Sequence, residues 1–132
     1  MNLNTVILLS QLKNASLNKK ECITVEANHF TISILESLYN EGLILSYVIV
    51  KKKTFNNNTV NAVVHIRYLY NQPVFENLKI MSSPSFTRIV SIKNICRLNP
   101  KKHTFFFSTD KGILTLQQCK QQKVGGVLLF IC

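Results

Sequence analysis

The feature that most constrains the fold lies in the first half of the chain. Two runs rich in Ile, Val, Tyr and Leu, residues 43–53 and 60–70, flank the polar stretch Thr54-Phe55-Asn56-Asn57-Asn58-Thr59. Strand-forming runs on either side of a polar turn predict a β-hairpin. What precedes the hairpin changes period twice. Over residues 4–16, Val6, Leu8, Leu9, Leu12 and Ala15 recur at three and four, the spacing of a helix with one buried face. Asn4 or Thr5 can cap it, and Lys13 and Asn14 sit near its end, off the apolar stripe. Cys22, Thr24 and Glu26 then alternate with Ile23 and Val25 as in a short strand. Helical spacing returns over residues 29–41 with Phe30, Ile34, Leu35 and Leu38, and Gly42 is placed to end that helix in a left-handed conformation. The order is α-β-α-β-β. Asn71-Gln72-Pro73 then makes a turn, and residues 74–82 return as a strand.

At 132 residues the chain fits one domain or two small ones sharing an interface, and 46% hydrophobic content supplies a core. The best candidate boundary is Ser82-Ser83-Pro84-Ser85, a cluster of small, polar and proline residues. Beyond it, residues 86–98 and 103–109 are expected as strands joined by the basic turn Asn99-Pro100-Lys101-Lys102. Residues 115–123 form a short polar helix capped by Thr115 and stopped by Gly125-Gly126, and Val127-Leu128-Leu129-Phe130-Ile131 is the last strand. The expected class is α+β, with two small subdomains: residues 1–82, α-β-α-β-β, and residues 83–132, mainly β with one short helix.

The formal charge of +10 suits a chain that meets a polyanion. It is unevenly spread. Residues 1–76 hold seven Lys/Arg against five Asp/Glu, net +2, whereas residues 77–132 hold nine against Asp110 alone, net +8. This favours a binding face in the second half. Lys51-Lys52-Lys53 and Lys101-Lys102 fit a solvated face and a contact with RNA backbone equally well. Tyr68, Tyr70, Phe105 and Phe107 are expected to pack in strands, with stacking on bases as the alternative.

Several function classes find no support. Cys22, Cys96, Cys119 and Cys132 form no C-x-x-C pair, and His29, His65 and His103 stand far apart, so no metal site is expected and the cysteines read as free thiols in a reducing compartment. No segment approaches the roughly 20 apolar residues that cross a bilayer, and the first twelve residues lack both the positive start of a signal peptide and the Arg- and Ser-rich character of a transit peptide. The six carboxylates form no spaced acid–base pair, and no nucleophile elbow, phosphate loop or dinucleotide fingerprint occurs. No enzymatic activity, cofactor or small-molecule substrate is expected.

Ser108-Thr109-Asp110-Lys111-Gly112 is more informative. Its hydroxyls and loop N–H groups can donate to phosphate oxygens, 2′-OH groups and base edges, Lys111 can neutralise a phosphate, and Gly112 admits a close backbone. An ordinary tight turn has the same composition. Gly125-Gly126, following Lys120 and Lys123, suits both a helix stop and a close approach to RNA.

Taken in order, these segments resemble the small-subunit ribosomal protein S8 family. Ser108-Thr109-Asp110-Lys111-Gly112, then Ile113-Leu114-Thr115, a short helix and Val124-Gly125-Gly126, is similar to the family's C-terminal S-T-S-x-G, hydrophobic pair, helix and G-G-x. Leu9 through Ala15 looks like its first-helix pattern, Leu38-Tyr39-Asn40-Glu41-Gly42-Leu43-Ile44 its second helix and E-E-G-[FY]-I step, and Pro73-Val74 and Ser82-Ser83-Pro84-Ser85 its P-V and S-x-P-G segments. The resemblance covers nearly the whole chain. It implies two α+β subdomains, the second carrying the RNA site, and primary binding to a central-domain helix of small-subunit ribosomal RNA, beside neighbouring small-subunit proteins. Carried across, the RNA-binding residues are Ser108, Thr109, Lys111, Gly112, Gly125 and Gly126, with Lys13 and Asn14 reaching RNA backbone; Lys123, Ser83 and Arg88 are further candidates for the same RNA.

The departures are specific. Asp110 replaces the family's second serine, and a carboxylate facing phosphates is repelled, so it is expected to point away or to accept from a base or amide donor. The family's P-G-x-R-x-Y becomes Pro84-Ser85-Phe86-Thr87-Arg88-Ile89, with the arginine shifted by one and the tyrosine missing. Lys101-Lys102-His103-Thr104 stands where the family is glycine-rich, and Val127 where it is acidic. Heavy use of Asn, Lys, Ile and Phe is typical of AT-rich coding, as in many organelle genomes. Together these features point to a diverged organellar member, mitochondrial rather than plastid. The alternative from another class is a basic interaction or adaptor module not bound to the ribosome.

Overall fold

The computed structural model describes residues 3–53, 58–99 and 103–132. Residues 54–57 of the expected hairpin turn and residues 100–102 of the expected basic turn lie outside the described residues. The chain is α+β and divides into two compact units, Asn4–Glu76 and one built on Asn77–Cys132.

In the N-terminal unit, helix α1 (Leu3–Leu17) is followed by strand β1 (Cys22–Glu26), helix α2 (His29–Asn40), and the hairpin strands β2 (Ile44–Lys53) and β3 (Asn58–Ile66). The sheet is antiparallel in the order β1-β3-β2. Helical spacing places Leu8, Leu9, Leu12 and Ala15 of α1 and Ile34, Leu35 and Leu38 of α2 in the core, with Val25, Ala62, Val64 and Ile66 from the sheet. Asn28 caps α2, its Oδ1 accepting from both the backbone N–H and the hydroxyl of Thr31 at 2.8 Å. Gly42, at φ +73°, reverses the chain after α2, and the N–H of Leu43 donates back to Leu38 O. Asn4 and Thr5, expected as caps of α1, lie inside the helix instead: Leu3 before them is already helical, and Thr5 is fully buried.

The expected third strand run breaks at Arg67, whose guanidinium donates to Gly42 O at 2.9 Å. A two-stranded ribbon, β4 (Tyr68–Leu69) and β5 (Gln72–Pro73), follows. Its turn is Tyr70-Asn71, both at positive φ, and Gln72-Pro73 is strand rather than turn. Paired positive φ values match the sheet's right-handed twist, and Asn tolerates them better than most residues. Tyr70 is therefore exposed at the tip rather than packed.

The C-terminal unit is built on β10 (Gly126–Ile131). One edge of β10 pairs with β8 (Phe105–Thr109), which pairs in turn with β9 (Gly112–Thr115). The other edge takes two short strands, β6 (Lys79–Ile80) and β7 (Ile89–Val90). The long strand expected over residues 74–82 is reduced to β6. Because β6 pairs with β10, and the Ser82 hydroxyl donates to Leu128 O, the division between units falls before Ser82, not after it.

The expected strand over residues 86–98 is corrected more sharply. Only Ile89–Val90 forms a strand there, and Ile92–Arg97 forms helix α3. Ile92 and Ile95 are three apart, and Ile95 turns inward to full burial. So short a segment, rich in β-branched side chains, does not reveal its period in sequence. Ile95 packs with Phe107, Leu114, Leu116, Cys119 and Leu128, and the Phe106 and Phe130 rings stack with centroids 4.6 Å apart. Helix α4 (Leu116–Gln122) opens with the Thr115 N–H donating to Gln118 Oε1 at 3.1 Å. It is stopped by Lys123 at φ +53°, not by the glycines. Among the described residues, no helix is long and apolar enough to cross a membrane.

Candidate nucleic-acid interface

In the C-terminal unit the expected RNA-binding residues gather around the first residues of β10. The register places Gly126 opposite Val90 and Val127 opposite both Ile89 and Ser108. The loop that leaves β8 and the segment that enters β7 thus flank the same two residues.

The glycines explain this closeness. A Cβ on Gly126 would overlap Ser108 O and stand 2.8 Å from the Thr109 methyl. On Gly125 it would meet Val90 O at 2.9 Å and Ile92 N at 3.1 Å. Gly125-Gly126 is therefore a packing device that lets β10 lie against the β8 and β7 backbones. The helix-stop role expected for it belongs to Lys123, which is exposed and ends α4 two residues earlier.

Thr109 pairs with Gly112 across the β8–β9 turn, leaving Asp110 and Lys111 exposed at the tip. The Thr109 hydroxyl donates to Gly112 O at 2.9 Å and accepts from Lys111 N–H at 3.2 Å. It shapes the loop. Gly112 sits at φ +107°, outside the reach of ordinary side-chain-bearing residues, with open space where a Cβ would be. The half-buried Ser108 hydroxyl has no hydrogen-bond partner among the described residues, so it is free to bond a ligand. Asp110 is exposed at the tip.

The segment entering β7 is tied just as closely. Ser83 and Phe86 exchange backbone hydrogen bonds of 2.7 and 3.1 Å, and Ser83 Oγ also accepts from Phe86 N–H at 3.2 Å. Arg88 donates its N–H to Ser82 Oγ at 3.1 Å and accepts from Leu128 N–H at 2.8 Å. Lys120, on α4, is committed elsewhere: its ammonium donates at 2.7 Å to Leu98 O, at the end of α3.

Lys13 and Asn14 belong to the N-terminal unit. Lys13 is half-buried and Asn14 exposed, and Asn14 lines a groove of about 410 Å³ with Gln11, Asn18, Lys20 and Thr24. Lys51-Lys52-Lys53 is exposed at the end of β2.

The profile of the family "Ribosomal protein S8" matches residues 6–132. The chain belongs to that family. Its members are structural ribosomal proteins, not enzymes. Among its relatives, the small ribosomal subunit protein uS8 of Afipia carboxidovorans is 28% identical over 123 residues, 93% of this chain and 91% of the relative. The proteins of the same name from a Bradyrhizobium species and from Rhodopseudomonas palustris are 27% identical over the same shares.

In this S8 member, no group of three or more His, Cys, Asp or Glu side chains is placed to hold a metal among the described residues. All four cysteines are free thiols. Burial raises the Cys119 thiol above its usual range and pushes Cys132 up to about 11, so neither is an activated nucleophile. Sequence reasoning passed over Ser82 and Phe86. Ser82 is a fully buried hydroxyl that bridges two segments, and its only signal was its place in a small-residue cluster. Phe86 is a single aromatic among Ser, Pro and Thr, off any strand period.

Proposed function

We propose that this S8 family member is a structural component of the small ribosomal subunit. It binds a central-domain helix of small-subunit ribosomal RNA, neighbours other small-subunit proteins, and supports subunit assembly and translation. The observation that carries this reading is the unpartnered Ser108 hydroxyl, set beside Gly126 in a unit with nine Lys/Arg and one Asp. Ser108 makes the direct contact, Thr109 and Gly112 hold the loop, and Lys111, Lys123 and Arg88 face phosphates. Ser83 orders the approach to Arg88. Gly125 and Gly126 let the strands close beneath the RNA. Lys13 and Asn14 provide a backbone contact from the N-terminal unit.

The ribosome in question is mitochondrial. Support comes from the Asn-, Lys-, Ile- and Phe-rich vocabulary and from the family positions now held by Asp110 and Val127. Sedimentation of a native extract tests both parts. The chain should comigrate with a small ribosomal subunit in the mitochondrial fraction and leave it after ribonuclease. A complex that resists ribonuclease would instead identify a protein-binding adaptor.

A further inference from the structure

We propose that Phe86 and Arg88 form a stacking platform for one unpaired nucleobase, at a position that the family pattern leaves open. The inference rests on the RNA-binding reading above. Phe86 is 60% exposed, so burial does not account for the ring. Its backbone is pinned by three hydrogen bonds to Ser83, and Arg88 is pinned on both sides, to Ser82 Oγ and to Leu128 N–H. The guanidinium carbon of Arg88 stands 6.0 Å from the ring centroid, within reach of the ring's negative face. An exposed ring held on a fixed backbone loses little freedom when it meets a flat partner. The cation beside it suits a partner that carries phosphate.

A base within a duplex has no free face, so the partner is an unstacked base in a bulge or internal loop. A protein partner is the weaker reading. The unit carries net +8, the ring stands beside the Arg88 guanidinium, and the adjoining Ser83 and Ser85 hydroxyls are 3.1 Å apart. Phe86 lies two residues before Arg88, whose carbonyl is bonded to β10, and three before Ile89, opposite Val127. The platform therefore adjoins the Ser108–Gly126 site without belonging to it.

The test uses the full chain with a small-subunit ribosomal RNA transcript, measuring affinity and the chemical reactivity of each base. F86A should lower affinity by about 5- to 100-fold, the loss that follows removal of one stacking ring, and should re-expose one or two bases. F86L, which keeps apolar bulk but no ring, should behave like F86A, and F86Y should retain wild-type binding and protection. The salt dependence of F86A should equal that of the wild type, because no phosphate contact is lost. Unchanged thermal unfolding of F86A would show that the unit remains folded. If F86A binds and protects like the wild type while S108A still weakens binding, the platform is refuted and the RNA reading stands. If the wild-type chain fails to bind the transcript, the RNA reading itself fails. If F86A keeps RNA binding but loses a neighbouring protein from the assembled subunit, the ring serves a protein partner and the proposal is overturned.

Discussion

The two units solve the same packing problem by different means. In the N-terminal unit, side chains hold the sheet: α1 and α2 lay Leu9, Leu12, Ile34, Leu35 and Leu38 into a core where each is completely buried. In the C-terminal unit the first turn of β10 is held by the absence of side chains, because Gly125 and Gly126 let backbone lie on backbone. The charge divides the same way, net +2 over residues 1–76 and net +8 over residues 77–132. A unit closed by apolar volume tolerates change at its surface. A unit closed by glycine brings its polar backbone and loop hydroxyls into one small area, where a ligand can meet several at once.

The largest effect expected from this contrast lies in the N-terminal core. Leu35→Ala should cost about 2–5 kcal/mol by transfer loss and an unfilled cavity, measured by urea unfolding. RNA affinity should be unchanged at a temperature where the variant is folded, and a fall there would erase the division of labour. Gly126→Ala should cost about 1–3 kcal/mol through overpacking and should weaken RNA binding as well, because Ser108 must move. Full RNA affinity in a folded Gly126→Ala variant would show that the glycine does not set the site.

Within the loop, neighbouring hydroxyls should separate. Ser108→Ala should lower RNA affinity by about tenfold, the loss of one good hydrogen bond, with stability unchanged. Thr109→Val should lower stability by about 1 kcal/mol, since it frees Gly112 O and Lys111 N–H. Identical behaviour of the two would refute their assignment. A pH dependence belongs to the same unit. Burial holds the Cys132 thiol at about 11 against its ordinary 9.0, so the unfolded chain loses this proton first. Its contribution to stability is intact below about pH 9 and is lost as pH rises through 11. Cys132→Ala should therefore lose less stability than the parent between pH 9 and 11 in parallel unfolding titrations.

Much of the N-terminal unit was legible because its elements are long enough to show a period. Leu8, Leu9, Leu12 and Ala15 fit a helix, and Gly42 marks a real end of α2. The C-terminal unit was less legible. Six residues from Ile92 to Arg97 cannot display a helical repeat, and two-residue strands such as Ile89–Val90 exist only because β10 is there to receive them. The loop at Ser108 could be found from composition and resemblance, whereas the different tasks of Ser108 and Thr109 could not. They depend on which hydroxyl the loop has already used.

The place of β10 in its sheet also carries a consequence for timing. Strands β6, β7 and β8 all precede it, and each takes it as a partner. A nascent chain emerges in sequence order, and units tend to fold as they become complete. The sheet of the N-terminal unit can close once Ile66 has emerged, but the second sheet must wait for Gly126–Ile131. A chain interrupted between Ile66 and Gly126 would carry a closed first sheet and an open second one. It could not compete with a complete copy for the RNA, because the strand that assembles the proposed contact surface is also the one that certifies the unit as finished.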